Sequence, residues 1–329
     1  MSSWDPQSLS QDIPSCPREF LKQLGGPTVM CLPGEDSSRT RVLVTLTHGH
    51  ESSGFKALHL WLRSGRRPKV DIVVILGGVK AALMDPPFYY RHPPGERDLN
   101  RCFSSPYEDE PGRLAREILE CIGGYDPEAV LDMHNTSAPT PPFAVIYGDD
   151  PAKQNLAGVF VDNLIISNLK LGSLMEQDLA CPVITLEVGG HRDPKSQDLA
   201  VMSLERYFLK DNLLETPTDI RVFRNSLRLE LAPGRSLGFS DSPLPDLAVT
   251  IRNDIDSLNF FSIDTGQLLG WASDLNHLRI RGTDDGNAGR YFTLRRGGLY
   301  PKAPMTLFMA SMRSDIAASD CVFYFSSKI

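Results

Sequence analysis

Two of the chain's seven histidines stand where chemistry could be done. His48 and Glu51 follow directly on a β-branched run, Val42-Leu43-Val44-Thr45-Leu46, where a helical pattern begins. At that spacing the two side chains can face one point. His134 closes a second run, Ala129-Val130-Leu131-Asp132-Met133. Two imidazoles and one carboxylate are a usual catalytic zinc set, with the fourth position left for water. Ligands at the carboxyl ends of parallel strands also lie where open α/β sheets bind ligands. The H-E-x-x-H alternative fails, because Ser52, Ser53 and Gly54 follow His50-Glu51. His50 competes with His48 for the metal, but its adjacency to Glu51 points its ring elsewhere and favours His48.

Glu187 comes next, at the end of the run Val183-Ile184-Thr185-Leu186 and before Val188-Gly189-Gly190. Zinc lowers the pKa of bound water to about 7, so a carboxylate at a neighbouring strand tip can take that proton and later return it. In Arg97-Asp98-Leu99-Asn100-Arg101, two guanidiniums and an amide lie close together. Arginine grips a carboxylate with two prongs and can stabilise an oxyanion. Taken singly, each feature has a plainer explanation. A strand-end histidine is more often structural or solvated, a glutamate in a first helical turn is favoured by the helix dipole, and a loop holding Glu96, Asp98 and Glu108 can be a surface salt-bridge segment. The joint pattern favours the zinc set over these plainer explanations. His59 falls on the apolar face of a helix and reads as core, while His92, His191 and His277 have turn-like neighbours and read as non-ligands.

The elements that must position these residues are legible between residues 41 and 211. Strand-like runs at Val42–Leu46, Val70–Leu76, Ala129–Met133, Phe143–Tyr147 and Val183–Leu186 alternate with helical patterns. One helix carries Phe55, Leu58, His59 and Leu62. A second starts at Pro111, carries Leu114, Ile118 and Ile122, and is expected to stop at Gly123-Gly124. A third carries Leu199, Met202, Leu204 and Phe208. Such alternation predicts an α/β sheet covered on both faces. Residues 85–112, rich in Pro, Arg and acidic residues, form the one long irregular segment, and a loop of that length is usually functional or mobile. After Pro217 the regime changes to short β-like runs, among them Ile220–Leu231, Ala248–Ile251, Leu278–Gly282 and Pro304–Phe308, separated by turn clusters such as Asp284-Asp285-Gly286-Asn287. The expected organisation is an N-terminal extension over 1–40, a hydrolase domain over 41–214 and a β-rich C-terminal domain over 215–329.

Composition bounds the rest. The 329 residues are 41% hydrophobic and 23% charged, an ordinary soluble balance. The net charge of −7, from 34 basic against 41 acidic residues, argues against a nucleic-acid partner. No apolar run approaches the roughly 18 residues of a membrane span, and the N-terminus has neither the basic nor the apolar region of a secretory signal. The six cysteines form no C-x-x-C pair and read as reduced thiols of a cytoplasmic protein. The composition leaves room for a homo-oligomer.

The elements His48-Gly49-His50-Glu51, Asp98-Leu99-Asn100-Arg101, Asp132-Met133-His134-Asn135-Thr136 and Leu186-Glu187-Val188-Gly189 occur in the order of the succinylglutamate desuccinylase/aspartoacylase family, which groups with the zinc carboxypeptidases, and the chain resembles that family over residues 41–210. The resemblance implies a zinc-carboxypeptidase-like mixed sheet covered by helices on both faces, with a smaller β-rich C-terminal domain. It implies one zinc per chain on His48, Glu51 and His134, Glu187 as general base and acid, and Asn100 with Arg101 on a substrate carboxylate. An arginine upstream of the Asp-Leu-Asn-Arg motif polarises the scissile carbonyl. Arg91 is the choice here and Arg97 the competitor, also in reach of substrate. Asn135, beside His134, counts as a further substrate contact. The sequence departs from the family in two places. Position 50 is His where Asn or Asp is frequent, and the stretch Leu171–Thr185 lacks the arginine that aspartoacylase carries before its catalytic glutamate. The implied activity is cleavage of a small N-acyl amino acid. The alternatives are a carboxypeptidase acting on short peptides and a non-catalytic binding protein of the same fold.

Overall fold

The computed structural model describes residues 1–4, 13–214, 219–314, 317 and 320–327. Within them the chain divides into two compact units. The first comprises Met1–Asn135, Pro142–Leu164 and Lys170–Arg221; the second comprises Thr136–Pro141, Ile165–Leu169 and Val222–Ile329. The boundary expected at 214/215 falls beside residues 215–218, which lie outside the described residues.

The large sheet contains β1 (Ser2–Trp4), β2 (Thr28–Leu32), β3 (Asp36–Thr45), β4 (Val70–Leu76), β5 (Ala129–Thr136), β6 (Phe143–Tyr147), β7 (Asn163–Ser167), β8 (Val183–Gly190) and β9 (Arg221–Phe223). Their order is β1-β2-β4-β3-β5-β8-β6-β7-β9. The sheet is mixed: β3 runs parallel to β4 and β5, whereas β2 is antiparallel to β4 and β6 to β8. All eight positions of β5 are buried, as expected of a strand whose sheet is covered on both faces. The helices are α1 (Pro17–Leu24), α2 (Ser53–Ser64), α3 (Val79–Leu83), α4 (Glu110–Tyr125), α5 (Pro151–Gly158) and α6 (Pro194–Leu209). Helix α2 packs on α6, which in turn meets β4 and β8. Phe55, Leu58 and Trp61 of α2 and Leu204, Tyr207 and Phe208 of α6 are buried, each contributing about 1.5–3 kcal/mol for a fully buried large apolar side chain.

Three features differ from the sequence expectation. Residues 1–40 are no mere extension: β1, β2 and the first half of β3 belong to the large sheet, and α1 to the same unit. The short Thr28–Leu32 run carries a Met and a Cys among its apolar positions, which blurs its β signal. Gly123-Gly124 does not stop α4, which runs on to Tyr125 and is ended by Asp126 in the left-handed region at φ 45°. The run Ile220–Leu231 is broken at Asn225, also left-handed, so its first part joins the large sheet as β9.

The second unit holds β10 (Ser226–Leu231), β11 (Leu237–Phe239), β12 (Val249–Ile251), β13 (Ser262–Ile263), β14 (Gly270–Ala272), β15 (Leu278–Arg281), β16 (Phe292–Arg295), β17 (Gly298–Pro301), β18 (Met305–Phe308) and β19 (Phe323–Ser327). They form two five-stranded sheets, β13-β18-β19-β10-β15 and β11-β12-β14-β17-β16. One core built on Leu229, Val249, Ile251, Phe292, Phe323 and Phe325 serves both.

Candidate active site

Strands β3, β5 and β8 are consecutive neighbours in the sheet, and each delivers part of the site. After β3 the chain turns through Leu46, which is buried yet held at φ 55°. A left-handed conformation is costly for a leucine and marks a backbone dictated by its surroundings. The turn continues through His48–Glu51 into α2. Gly54, in the first turn of α2, lies so close to the sheet that a Cβ there would stand 2.2 Å from Thr45 Oγ1 and 3.1 Å from Met133 Sδ. Only glycine lets the helix start approach β3 and β5 this closely. Ser52 supplies no side-chain cap to α2. Asn135 of β5 does so instead, its Oδ1 accepting from Ser53 N at 3.2 Å while its Nδ2 donates to Gly189 O of β8 at 3.1 Å.

Glu51 is the hub. Its Oε1 lies 2.8 Å from His48 Nδ1 and its Oε2 lies 2.7 Å from His134 Nδ1. One ligand atom from each residue falls within 4.8 Å of the others, and all three residues are buried. Each histidine has a carboxylate behind it. His48 Nε2 meets Asp98 Oδ1 at 2.9 Å, and His134 Nε2 lies 2.9 Å from Asp132 Oδ2, although without the alignment of a hydrogen bond. Carboxylates in these positions fix the ring orientation of metal-binding histidines and strengthen them as ligands. The donor set and its backing fit a zinc ion with one position left open.

The charges are tightly coupled. Burial would raise the pKa of Glu51, but His48 and His134 hold it well below the usual range. Burial works against a charge on His134, yet Asp132 and Glu51 hold it well above the ordinary value. Burial and Arg91 push His48 down, and Glu51 and Asp98 more than compensate. The carboxylate thus sits between two imidazoles that favour a proton, an arrangement in which a divalent cation can take the place of those protons.

Glu187 lies within β8 rather than at its end, since the strand continues to Gly190. Its Oε2 is buried without a partner, and burial raises its pKa to about 7 against the opposing pull of His134. That value suits a group that must accept and release a proton near neutrality.

The irregular segment before α4 contributes Asp98, which accepts from Arg91 Nε at 2.9 Å, from His48 and from Asn100 N at 2.8 Å. Burial would raise the pKa of Asp98, but Arg91 and His48 keep it well below the usual range. Arg91 Nη1 stands 3.9 Å from Glu51 Oε1, at the edge of the hub. Asn100 is buried with its Oδ1 unpartnered, and Arg101 also acts on Asp98. Arg97 is placed elsewhere, its Nε and Nη2 both 2.6 Å from Asp109, the residue that caps α4. The structure therefore gathers His48, Glu51, His134, Glu187, Arg91, Asn100 and Arg101, leaves Arg97 outside, and engages the Asn135 amide in joining α2 to β8. His59, expected in the core, donates to Pro14 O at 2.7 Å.

The sequence reading passed over Asp98 and Asp132 as site residues. A usable signal existed for Asp132, a carboxylate inside an otherwise apolar strand. His50 and His191 were set aside as well. Their rings meet edge-on with centroids 5.1 Å apart, and burial lowers the His50 pKa to about 3.

No protein-family model and no curated protein matches the sequence. Solved structures do match in fold. A succinylglutamate desuccinylase/aspartoacylase from Rhodobacter sphaeroides superposes with a TM-score of 0.58 at 14% identity, over 92% of this chain and 89% of that one. A succinylglutamate desuccinylase from Vibrio parahaemolyticus gives 0.60 at 12%, over 90% and 83%. Murine aminoacylase 3 gives 0.57 at 18%, over 90% and 97%. The chain has the desuccinylase/aspartoacylase fold along most of its length, in agreement with the motif resemblance.

Proposed function

We propose that this chain is a zinc-dependent amidohydrolase that cleaves the amide bond of a small N-acyl amino acid. The observation that carries the reading is the convergence of His48 Nδ1 and His134 Nδ1 on the two oxygens of Glu51, with Glu187 on the next strand. The structural neighbours include a desuccinylase and an aminoacylase, which supports the same class. Zinc held by His48, Glu51 and His134 would supply a Lewis acid that polarises a carbonyl and acidifies water. Glu187 takes a proton from the attacking water and hands it to the departing amine, a task for which a pKa near 7 is matched. Arg91, steadied by Asp98 on one side, stabilises the carbonyl oxygen as charge develops there. Arg97 is committed to Asp109 and is not assigned that part. Arg101 and Asn100, on the turn after Asp98, hold the carboxylate of the amino acid. None of the six cysteines is in a disulfide, which suits a cytosolic enzyme.

The test is amine release from a panel of N-acyl amino acids by the zinc-loaded protein, with short peptides alongside. Release from N-acyl amino acids well above that from peptides is expected. Faster cleavage of peptides would replace the reading with a carboxypeptidase, and no cleavage of either would remove the enzymatic reading.

A further inference from the structure

The stretch Leu171–Thr185 contains no arginine, and its first residues are folded around a carboxylate instead. Glu176 reaches back over the residues before it. Leu171 N donates to both of its oxygens at 2.9 Å, and Gly172 N donates to Oε2 at 2.9 Å. Ser173 N and Ser173 Oγ donate to Oε1 at 3.2 and 2.7 Å. Successive amides aimed at one point make a concavity suited to an anion, and here the chain's own side chain fills it. Hydrogen bonds to a charged acceptor are stronger than neutral ones, so residues 171–173 are fixed to the 3₁₀ turn Leu174–Glu176. Leu174 and Met175 of that turn are buried, and the turn packs on β6 and β8.

On its other side this segment meets the turn that carries Asp98, Asn100 and Arg101. Gly172 O accepts from Phe103 N at 2.9 Å. A Cβ on Gly172 would stand 2.6 Å from Arg101 O and 3.0 Å from Arg101 C, and Gly172 lies at φ 83°, where any other side chain is strained. The backbone of residue 172 is thus pressed directly on the backbone of Arg101. Within its own turn Arg101 is tied by its N to Asp98 O at 2.9 Å, and Cys102 N closes on Leu99 O at 3.0 Å. Gly172 braces that turn from outside. The brace runs from β8, the strand of Glu187, to the residue assigned above to the substrate carboxylate.

We propose that Glu176 and Gly172 are positioning residues for Arg101. The Glu176 carboxylate sets the Leu171–Ser173 backbone, that backbone sets Arg101, and the guanidinium is thereby held where it grips the carboxylate of an N-acyl amino acid. This deepens the hydrolase reading and rests on it. A two-pronged grip depends on orientation, and a displacement of about 1 Å in a positioning group can cost on the order of 10²-fold. The grip is present in ground and transition states alike, so its loss falls on KM.

The experiment follows hydrolysis, by the zinc-loaded protein, of the N-acyl amino acid cleaved fastest in the panel and of its carboxamide, which has no free carboxylate. Glu176→Ala, Glu176→Gln and Gly172→Ala are compared with wild type, alone and on an Arg101→Ala background. Glu176→Ala should raise KM for the acid about tenfold or more, with kcat near wild type and kcat/KM for the carboxamide unchanged. Glu176→Gln keeps one acceptor oxygen and should fall between. On the Arg101→Ala background the same substitutions should cost nothing further, because groups that act through one residue are not additive. Hydrogen exchange at the Phe103 amide should quicken in Glu176→Ala while exchange in β5 stays as in wild type, a readout that needs neither zinc nor turnover. The two Glu176 variants decide the matter should Gly172→Ala fail to fold. A KM defect shared by acid and carboxamide, a defect that persists without Arg101, or unchanged exchange at Phe103 would overturn the inference and leave the hydrolase reading standing. A wild type that hydrolyses no N-acyl amino acid would overturn the hydrolase reading and the grip assigned to Arg101, while quickened exchange at Phe103 would still uphold the brace.

Discussion

Where β3 first pairs with β5, Arg41 is fully buried and each of its side-chain nitrogens has a partner. Its Nε donates to Glu128 Oε1, its Nη1 to Tyr207 O and Lys210 O, and its Nη2 to Asp211 O. The Tyr207 hydroxyl beside it reaches Val42 O at 3.0 Å and Ala129 O at 2.8 Å. Toward the other end of the same two strands lies a second buried polar cluster, with the opposite character. Buried atoms without hydrogen-bond partners there include both nitrogens of His50, Asn100 Oδ1 and Glu187 Oε2. The protein can satisfy buried charge, and at the first cluster it does so. At the second, a bound ion and substrate can complete the bonding. The satisfied cluster holds the fold together, and the unsatisfied one is where the proposed chemistry would take place.

The comparison can be broken most forcefully at Glu187. Glu187→Gln keeps the shape and removes the proposed base, so kcat should fall by roughly 10²–10⁴-fold. Bound zinc and melting temperature should stay near wild type. Turnover close to normal would show that another group moves the proton. Arg41→Met tests the other end. Glu128 is partly exposed and keeps Arg39, but the three backbone carbonyls Arg41 serves lose their donor, at a cost of about 1–3 kcal/mol or more, and the loss should appear in urea unfolding while kcat per folded molecule is retained. A mild effect on stability would mean that the first cluster is no staple.

Much of this contrast was readable in the chain because the runs Val42–Leu46, Ala129–Met133 and Val183–Leu186 announce buried strands, and a histidine or glutamate at the end of such a run is conspicuous. What sequence could not give are bonds closed by tertiary structure. Asp98 meets His48 across fifty positions, and Asn135 caps a helix that begins far earlier in the chain. The choice between Arg91 and Arg97 depends on Asp109, whose pairing with Arg97 is fixed by where α4 starts. His191 looked like a turn residue because only the fold brings it to His50.

Asp98→Asn sharpens the comparison at the next level down. Loss of the carboxylate behind a metal-binding histidine should weaken zinc affinity by about 10–100-fold, measured by competition with a chelator. An unchanged affinity would leave Asp98 a loop anchor only. The smallest effect is expected at Asp109, an exposed partner of Arg97. The hydrogen bond from Arg97 lowers its pKa to about 2. A depressed carboxylate stabilises the fold above its unfolded pKa of about 3.9 and loses that contribution as pH falls through the folded value. Asp109→Asn should therefore melt slightly below wild type at pH 7, with the gap closing as the pH approaches 2. A gap independent of pH would assign the effect to capping of α4 alone.

The central claim, that the unsatisfied cluster is a metal site, is tested most directly by elemental analysis of the purified protein and of His134→Ala after equilibration with zinc. One zinc per wild-type chain and almost none in the variant is the predicted result. Equal zinc in both proteins, or none in the wild type, would contradict the account.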